Sequence, residues 1–288
     1  MSNINSINTI CENLLELNKR QQLIKEQKTI SCKLLAREFV ENSHTLENIS
    51  DLISQYTNLV GINDDTALVK FFCSIVDSFE VSQLLSTIPD IDLKFFSKND
   101  SAKISYVKNN HSDTAFDKFS NLFENPKVSH NTSFEDVCED VYNSICDYCI
   151  LPIESAGGKL FSFYSLIDKY DLKIFAVCDL EDGVSDKHTR YALLTRKNIY
   201  FSESVQSSYF EFSMTIDNNY SLKTILDAAE CCGLSLYRLD TMSVPYDDMT
   251  FKFYHIFKSD CATVLPFIMY LNYKYPQHEA IGYYILLK

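Results

Sequence analysis

The chain has 288 residues, enough for two or three modest domains, and 46% of them are hydrophobic, which excludes wholesale disorder. With only 6 Gly and 6 Pro it lacks the long glycine-rich loops that phosphate- and dinucleotide-cradling sites need. The net charge of −13, with no Lys/Arg cluster, excludes a phosphate-reading basic stripe and disfavours anionic membranes, while leaving room for a small anionic ligand held by a few local cations.

Residues 1–90 read as helical. Ile7, Ile10, Leu14 and Leu17 recur at spacings of three and four, the mark of one helix face. A second helical stretch runs from Lys28 through Glu41, and Leu46, Ile49, Leu52 and Ile53 repeat the pattern. Asn63, Asp64 and Asp65 form a capping cluster for a further helix whose apolar face holds Leu68, Phe71, Phe72, Ile75, Val76 and Phe79. Residues 90–100 read as a linker.

From Lys103 the texture changes. Ile104 to Val107 alternates as a short strand, and Ala115, Phe116, Phe119 and Phe123 predict a helix. Ser133 opens another helix through Val137 and Val141. Cys149 to Ile153 is a buried strand, Leu160 to Tyr170 a helix, and Lys173 to Cys178 a strand. Strands alternating with helices predict a mostly parallel α/β layer.

A third unit starts at Ser208. Tyr209 to Ile216 is a strand, and Leu222, Ile225, Leu226 and Ala229 mark a helix stopped by Gly233. Leu234 to Met242 and Thr250 to Phe257 are strands. Asp260 caps a helix through Val264, Leu265 and Ile268, kinked or delayed by Pro266, and Ile281 to Leu287 closes as a strand. The βαββαβ order predicts a ferredoxin-like arrangement. The fold class is therefore α+β multidomain: a helical domain over 1–90, a small α/β domain over 101–207 and a ferredoxin-like domain over 208–288.

Ten irregularly spaced cysteines, a polar N-terminus and no apolar run of membrane-span length predict a reduced, cytoplasmic protein without a signal peptide. The Cys146-Asp147-Tyr148-Cys149 motif has no second pair at zinc-ligand spacing and reads as buried thiols. No metal and no cofactor are expected.

Three segments of the middle region occur in a telling order: Ser133-Phe134-Glu135-Asp136-Val137, Leu151-Pro152-Ile153-Glu154-Ser155 and Tyr164-Ser165-Leu166-Ile167. They resemble prephenate dehydratase, whose SFEDV, VPIEN and YDLL segments follow one another in the same way. Thr189-Arg190-Tyr191 resembles that family's later TRF motif. Residues 209–288 resemble the ACT regulatory domain that follows the dehydratase, and 1–90 resemble a helical chorismate mutase fused in front of it. The resemblance is thus to the bifunctional chorismate mutase–prephenate dehydratase family of phenylalanine biosynthesis.

It implies conversion of prephenate to phenylpyruvate with loss of water and carbon dioxide, chorismate mutase activity, or both. In the dehydratase part, Thr189 is then the hydroxyl nearest the chemistry, Arg190 supports it, and Glu154 and Ser155 line the loop after the strand, so that Glu154 and Thr189 approach each other. In the mutase part, Arg20, Lys28, Arg37, Glu38, Ser78 and Gln83 are the candidates for clamping two carboxylates and donating to the ether oxygen. In the ACT part, Ser221, Leu222, Asp240 and Thr241 stand at the ligand-binding positions. The implied partners are a small carboxylate (prephenate, chorismate or phenylalanine) and a second copy in a homodimer, with neither nucleic acid nor membrane.

The sequence also departs from the family. Lys108 to His111 replaces a glycine-rich loop, Tyr220 stands where the ACT glycine is expected, Met242 stands for an Arg, and only Asp179 to His188 occupies the place of a complete second dehydratase lobe. Ten residues make a turn rather than a lobe. The alternative reading is a catalytically inactive relative that regulates by binding a small molecule or a partner.

Overall fold

The structure is a computed structural model that describes residues 2–42, 65–78, 93–96, 102–181, 188–200, 208–215, 220–244, 247–259 and 264–288. By contact the chain divides into two compact units, Met1–Ile88 with Leu265–Tyr270 and Pro89–Val264 with Leu271–Lys288.

The first unit holds α1 (Ser2–Asn42) and α2 (Asp65–Ser78). Where the periodicity predicts two successive helices, α1 is a single one of 41 residues. Nothing between residues 2 and 42 stops it, because the segment contains neither Gly nor Pro. Helix α2 buries Leu68, Val69, Phe71, Phe72, Ile75 and Val76, and its Lys70 donates to Thr29 Oγ1 of α1 at 3.3 Å. Leu46 to Ile53, Asn63, Asp64, Phe79 and Gln83 lie outside the described residues.

The second unit begins with β1 (Leu93–Phe95), inside the stretch expected to be a linker. Next come β2 (Lys103–Val107), α3 (Asn110–Ser120), β3 (Lys127–Asn131), α4 (Phe134–Tyr142), β4 (Tyr148–Ser155), β5 (Gly158–Lys159), α5 (Phe161–Lys169), β6 (Lys173–Glu181), β7 (His188–Thr195) and β8 (Asn198–Tyr200). Then follow β9 (Ser208–Thr215), α6 (Leu222–Cys231), β10 (Leu234–Val244), β11 (Asp247–Ser259), α7 (Leu265–Lys274), whose residues through Tyr270 belong to the first unit, and β12 (Glu279–Leu287). Helix N-termini are set by side-chain caps at Asn109, Ser133 and Ser221, each accepting from a backbone N–H three residues on, for about 1 kcal/mol apiece. Pro266 sits in the first turn of α7, where a missing N–H costs no helical bond, so it delays the start rather than kinking the helix.

Strands from 101–207 and 208–288 join in one sheet, ordered β10-β11-β9-β12-β6-β7-β4-β2-β3 with β5 beside β4, while β1 and β8 pair separately in parallel. The sheet is mixed rather than mostly parallel. β2, β3 and β4 are parallel, but β7 runs antiparallel to both β4 and β6. The physical reason is the short connection after β6. Its ladder with β7 continues to Glu181↔His188, and a parallel return would need a crossover of a dozen or more residues. β12 joins the halves by pairing parallel with β6, and β10, β11, β9 and β12 are mutually antiparallel in that order.

Strand alternation gives the sheet two apolar faces. On one, Ala192 and Leu194 of β7 join Ile256, Tyr254 and Tyr284 beneath Val137 of α4 and Tyr164 of α5. On the other, Tyr191 and Leu193 join Ile104, Phe175 and Ile285 beneath Ala115 and Phe119 of α3. At the β12–β6 seam Gly282 allows a very close approach: a Cβ there would lie 2.3 Å from the carbonyl oxygen of Ile174.

Candidate functional site

The site predicted around Glu154 and Thr189 is built differently from the expectation, and a backbone irregularity is the cause. From Cys149↔Leu194 to Pro152↔Tyr191 the β4–β7 register is regular, and continued by two more steps it would place Glu154 opposite Thr189. A bulge between Pro152 and Glu154 shifts it by one, so Glu154 stands opposite Arg190 instead. Pro152 has no N–H to offer the ladder, and proline within sheets concentrates at such bulges. Thr189 pairs with Leu180, a member of the cluster under α3, and so lies on the opposite face from Arg190. The expected approach of Glu154 and Thr189 does not occur.

Around Glu154 a charge cluster assembles. Arg190 donates two hydrogen bonds to Asp179, at 2.7 and 3.0 Å, in a bidentate fork. Its Nη1 lies 3.6 Å from Glu154 Oε2. From β10, Arg238 donates to Glu154 Oε1 at 2.5 Å and to Asp240 Oδ1 at 2.9 Å. Burial alone disfavours both guanidinium charges, but the adjacent carboxylates outweigh it and raise both pKa values. β10 and β4 are six strand steps apart in the sheet. At about 4.8 Å per step a flat sheet would separate them by roughly 29 Å. The Arg238–Glu154 contact therefore requires the sheet to coil around α4 and α5, and the charged cluster lies on the concave face.

Deeper on that face is a second cluster. Lys159 of β5 and Glu211 of β9 form an ion pair at 2.5 Å with side chains 2% and 0% exposed. Lys159 also donates to Tyr164 OH at 2.5 Å and lies 4.0 Å from that ring's centroid, while Tyr284 OH donates to the other Glu211 oxygen at 3.1 Å. Burial, then the negative Glu211, pushes both phenols well above their ordinary pKa. A cleft of about 260 Å³ lies at the end of α5; of its lysines, Lys252 is bridged to Asp168 at 2.8 Å and Glu279 at 2.5 Å, and Lys173 to Asp171 at 2.8 Å.

The remaining predicted residues are dispersed. Ser155 accepts from Gly157 N–H at 3.3 Å and shapes the β4–β5 turn. Arg20 pairs with Glu16 on exposed α1 at 2.6 Å, and Lys28, Arg37 and Glu38 are exposed on the same helix. Ser78 ends α2. Ser221 caps α6, Leu222 begins it, Asp240 is held by Arg238, and Thr241 is exposed on β10 opposite Phe253. Tyr220 lies against Phe253 and bonds the buried His255 Nε2 at 3.1 Å. Cys146 and Cys149 are buried free thiols, and burial raises both pKa values.

Sequence reasoning missed Asp179, Arg238, Lys159 and Glu211. For Glu211 a signal existed: it is the lone acid in the otherwise apolar or hydroxyl-bearing run Ser208 to Thr215, whose residues through Met214 are all buried. A charge in such a strand demands a buried partner.

No protein-family model matches the chain, and no curated protein matches it. Solved structures do. Prephenate dehydratase from Streptococcus mutans is 14% identical, with a TM-score of 0.53, covering 65% of this chain and 100% of that one. A quorum-quenching acylase, GqqA, is 15% identical over 63% of this chain and 94% of that one, TM-score 0.49. Prephenate dehydratase from Arthrobacter aurescens, solved with L-Phe, is 12% identical over 64% and 90%, TM-score 0.49. At such identity the first similarity establishes a fold of the prephenate dehydratase type and nothing finer. No helix among the described residues is long and apolar enough to cross a membrane.

Proposed function

We propose that this chain is a non-catalytic relative of the prephenate dehydratase fold that acts by binding, with residues 208–288 as an ACT-like regulatory module for a small carboxylate or a partner chain. One observation carries the reading: the guanidinium groups at the candidate site are already engaged by the chain's own acids, Arg190 by Asp179 and Glu154, and Arg238 by Glu154 and Asp240. Expelling hydroxide and carbon dioxide from a dicarboxylate requires unpaired cations for the carboxylates and a donor beside the leaving hydroxyl. Here Arg190, Arg238 and Lys159 stand against Glu154, Asp179, Asp240 and Glu211, a surplus of negative charge that repels such a substrate. The hydroxyl of Thr189 is on the other face.

The test is incubation of the purified full chain with prephenate and, separately, with chorismate, following phenylpyruvate and prephenate by chromatography. The expected result is no product above the protein-free control, unchanged in Thr189→Val. Arg190→Met is expected to lose about 3 kcal/mol of stability, as breaking a buried charge network does. Turnover of either substrate that disappears in Thr189→Val or Arg190→Met overturns the reading.

A further inference from the structure

The cleft at the end of α5 has a built interior. The chain leaves α5 through a Schellman turn: Asp171 takes a left-handed φ of 49° and donates its N–H to the Asp168 carbonyl at 3.3 Å, while Leu172 N–H donates to the Ile167 carbonyl at 2.9 Å. The turn brings Asp168 and Asp171 to the cleft together with Ile167 and Leu172, and buried Ile281 of β12 completes an apolar lining. Lys252 of β11 and Glu279 of β12 stand on the sheet side.

Charge in the cleft is weighted toward acid. Asp171 matches Lys173, but the single Lys252 ammonium serves both Asp168 Oδ2 and Glu279 Oε2. Asp168 Oδ1 and Glu279 Oε1 accept no hydrogen bond among the described residues. Behind them stands Tyr254, wholly buried, whose hydroxyl also has no partner among the described residues. The β11–β9–β12 register sets Tyr254, Ser213 and Glu279 side by side on one face. The Tyr254 ring meets Tyr164 edge-on, one helical turn before Asp168, and lies 5.9 Å from Lys252 Nζ. Its hydroxyl is thereby directed at the cleft. Burial first, then the charges of Asp168, Glu211 and Glu279, push the phenol's pKa up, so it stays neutral. An orphaned hydroxyl in such a place calls for a partner from outside the chain.

We propose that this cleft binds a small primary amine, its ammonium held by Asp168, Glu279 and the Tyr254 hydroxyl and its hydrocarbon body by Ile167, Leu172 and Ile281.

Charge selects the sign of the occupant. The cleft sets three acids against two lysines, at the C-terminal end of α5, where backbone carbonyls add partial negative charge. An anion would need an unengaged lysine, and both are bridged. An ammonium has three donors, and three acceptor oxygens converge here. The volume of about 260 Å³ is below the roughly 300–1,000 Å³ of pockets for drug-sized ligands, which limits the occupant to a short alkyl or arylalkyl amine. Lys252 is then an internal competitor, since its own ammonium already bridges two of the three acceptors.

The inference goes beyond the reading above, which assigns no ligand to this cleft, and its test reads binding rather than turnover. Isothermal titration calorimetry of the full chain with hexylammonium chloride is expected to show one saturable site that weakens as salt rises. Hexanoate and hexan-1-ol, the anionic and neutral chains of the same length, should not saturate it. Asp168→Asn and Glu279→Gln should each weaken hexylammonium by about tenfold. Tyr254→Phe should weaken it too while leaving the unfolding temperature equal or higher, because the lost hydroxyl had no bond to give up. Lys252→Met, checked for folding by circular dichroism, should tighten the amine, whereas an anion site would be weakened by it. Absence of saturable binding at millimolar hexylammonium overturns the proposal. So does binding no tighter than that of hexan-1-ol, or an affinity that is unchanged in both Asp168→Asn and Tyr254→Phe.

Discussion

Replacing Lys159 by methionine removes the cation from the buried pair with Glu211 while keeping most of the side-chain volume. The pair is 2.5 Å apart with both side chains almost wholly buried. At an effective dielectric of 20 the attraction is about 7 kcal/mol, which is offset by several kcal/mol of desolvation for each ion. The intact pair is therefore near balance, but the single substitution leaves the Glu211 charge buried with phenol hydroxyls, of Tyr284 and Tyr164, in place of a cation. The expected loss is about 3–5 kcal/mol, or roughly 6–20 °C in Tm for a domain of this size. Lys159→Met combined with Glu211→Leu removes both charges and leaves the hydroxyls of Tyr164 and Tyr284 short of partners, at about 1 kcal/mol each. The double variant is thus expected near 2 kcal/mol below the unaltered chain and above Lys159→Met alone. Urea unfolding of the four proteins closes the cycle. A loss under about 1 kcal/mol for Lys159→Met, or a double variant less stable than that single one, would refute the account of the pair as a mutually dependent buried charge.

Two further outcomes concern the same half of the sheet. Burial lowers the pKa of His255 from 6.5 to about 4. The unfolded chain then binds a proton between those values that the folded chain refuses, so this contribution is complete above pH 6.5 and shrinks as pH falls to about 4. Over that interval it amounts to about 3 kcal/mol. His278 is lowered by burial in the same direction, so the comparison of interest is the unaltered chain against His255→Gln, whose stability should fall less steeply with acid in urea titrations; parallel slopes would contradict the buried neutral imidazole. At Gly282 an added Cβ meets backbone rather than a movable side chain, at 2.3 Å from Ile174 O and 2.8 Å from its N. Gly282→Ala is expected to cost more than about 3 kcal/mol, at the upper end of overpacking, and thermal unfolding within about 1 kcal/mol of the unaltered chain would show that β6 and β12 can separate freely.

Local signals carried much of the fold. The Ser133 cap bonds Asp136 N–H at 3.1 Å where the sequence places a helix start, and the Cys149 to Ile153 run is a buried strand. Strand β3 escaped notice because Lys127 to Asn131 is an edge strand with mostly exposed or half-buried residues and no apolar alternation. In α1 the three- and four-residue rhythm correctly reads as a helix face, but periodicity cannot say whether the chain covers that face or leaves it in water. For the site, motif order located Glu154 and Arg190, which do meet. Pro152 marks that a bulge is possible but not where the register slips to set Arg190 rather than Thr189 opposite Glu154, and the Arg238–Glu154 contact joins positions 84 residues apart that only sheet order brings together.

These two illegible features act jointly. Without the bulge, regular alternation would turn Glu154 toward the face under α3, away from Arg190 and Arg238 alike. Both guanidinium groups would then keep partners only in Asp179 and Asp240, and nothing charged would link β10 to β4. With the bulge, one carboxylate serves two arginines on strands that a flat sheet would hold far apart, so closing the concave face and occupying its cations are a single structural event. A site that bound a dicarboxylate would have to reopen both contacts of Glu154, giving up the half-buried charged hydrogen bond from Arg238, worth about 1.5–3 kcal/mol, and the longer ion pair with Arg190, before gaining any from the ligand. The geometry that closes the concave face is the same geometry that engages Arg190 and Arg238 with the chain's own acids.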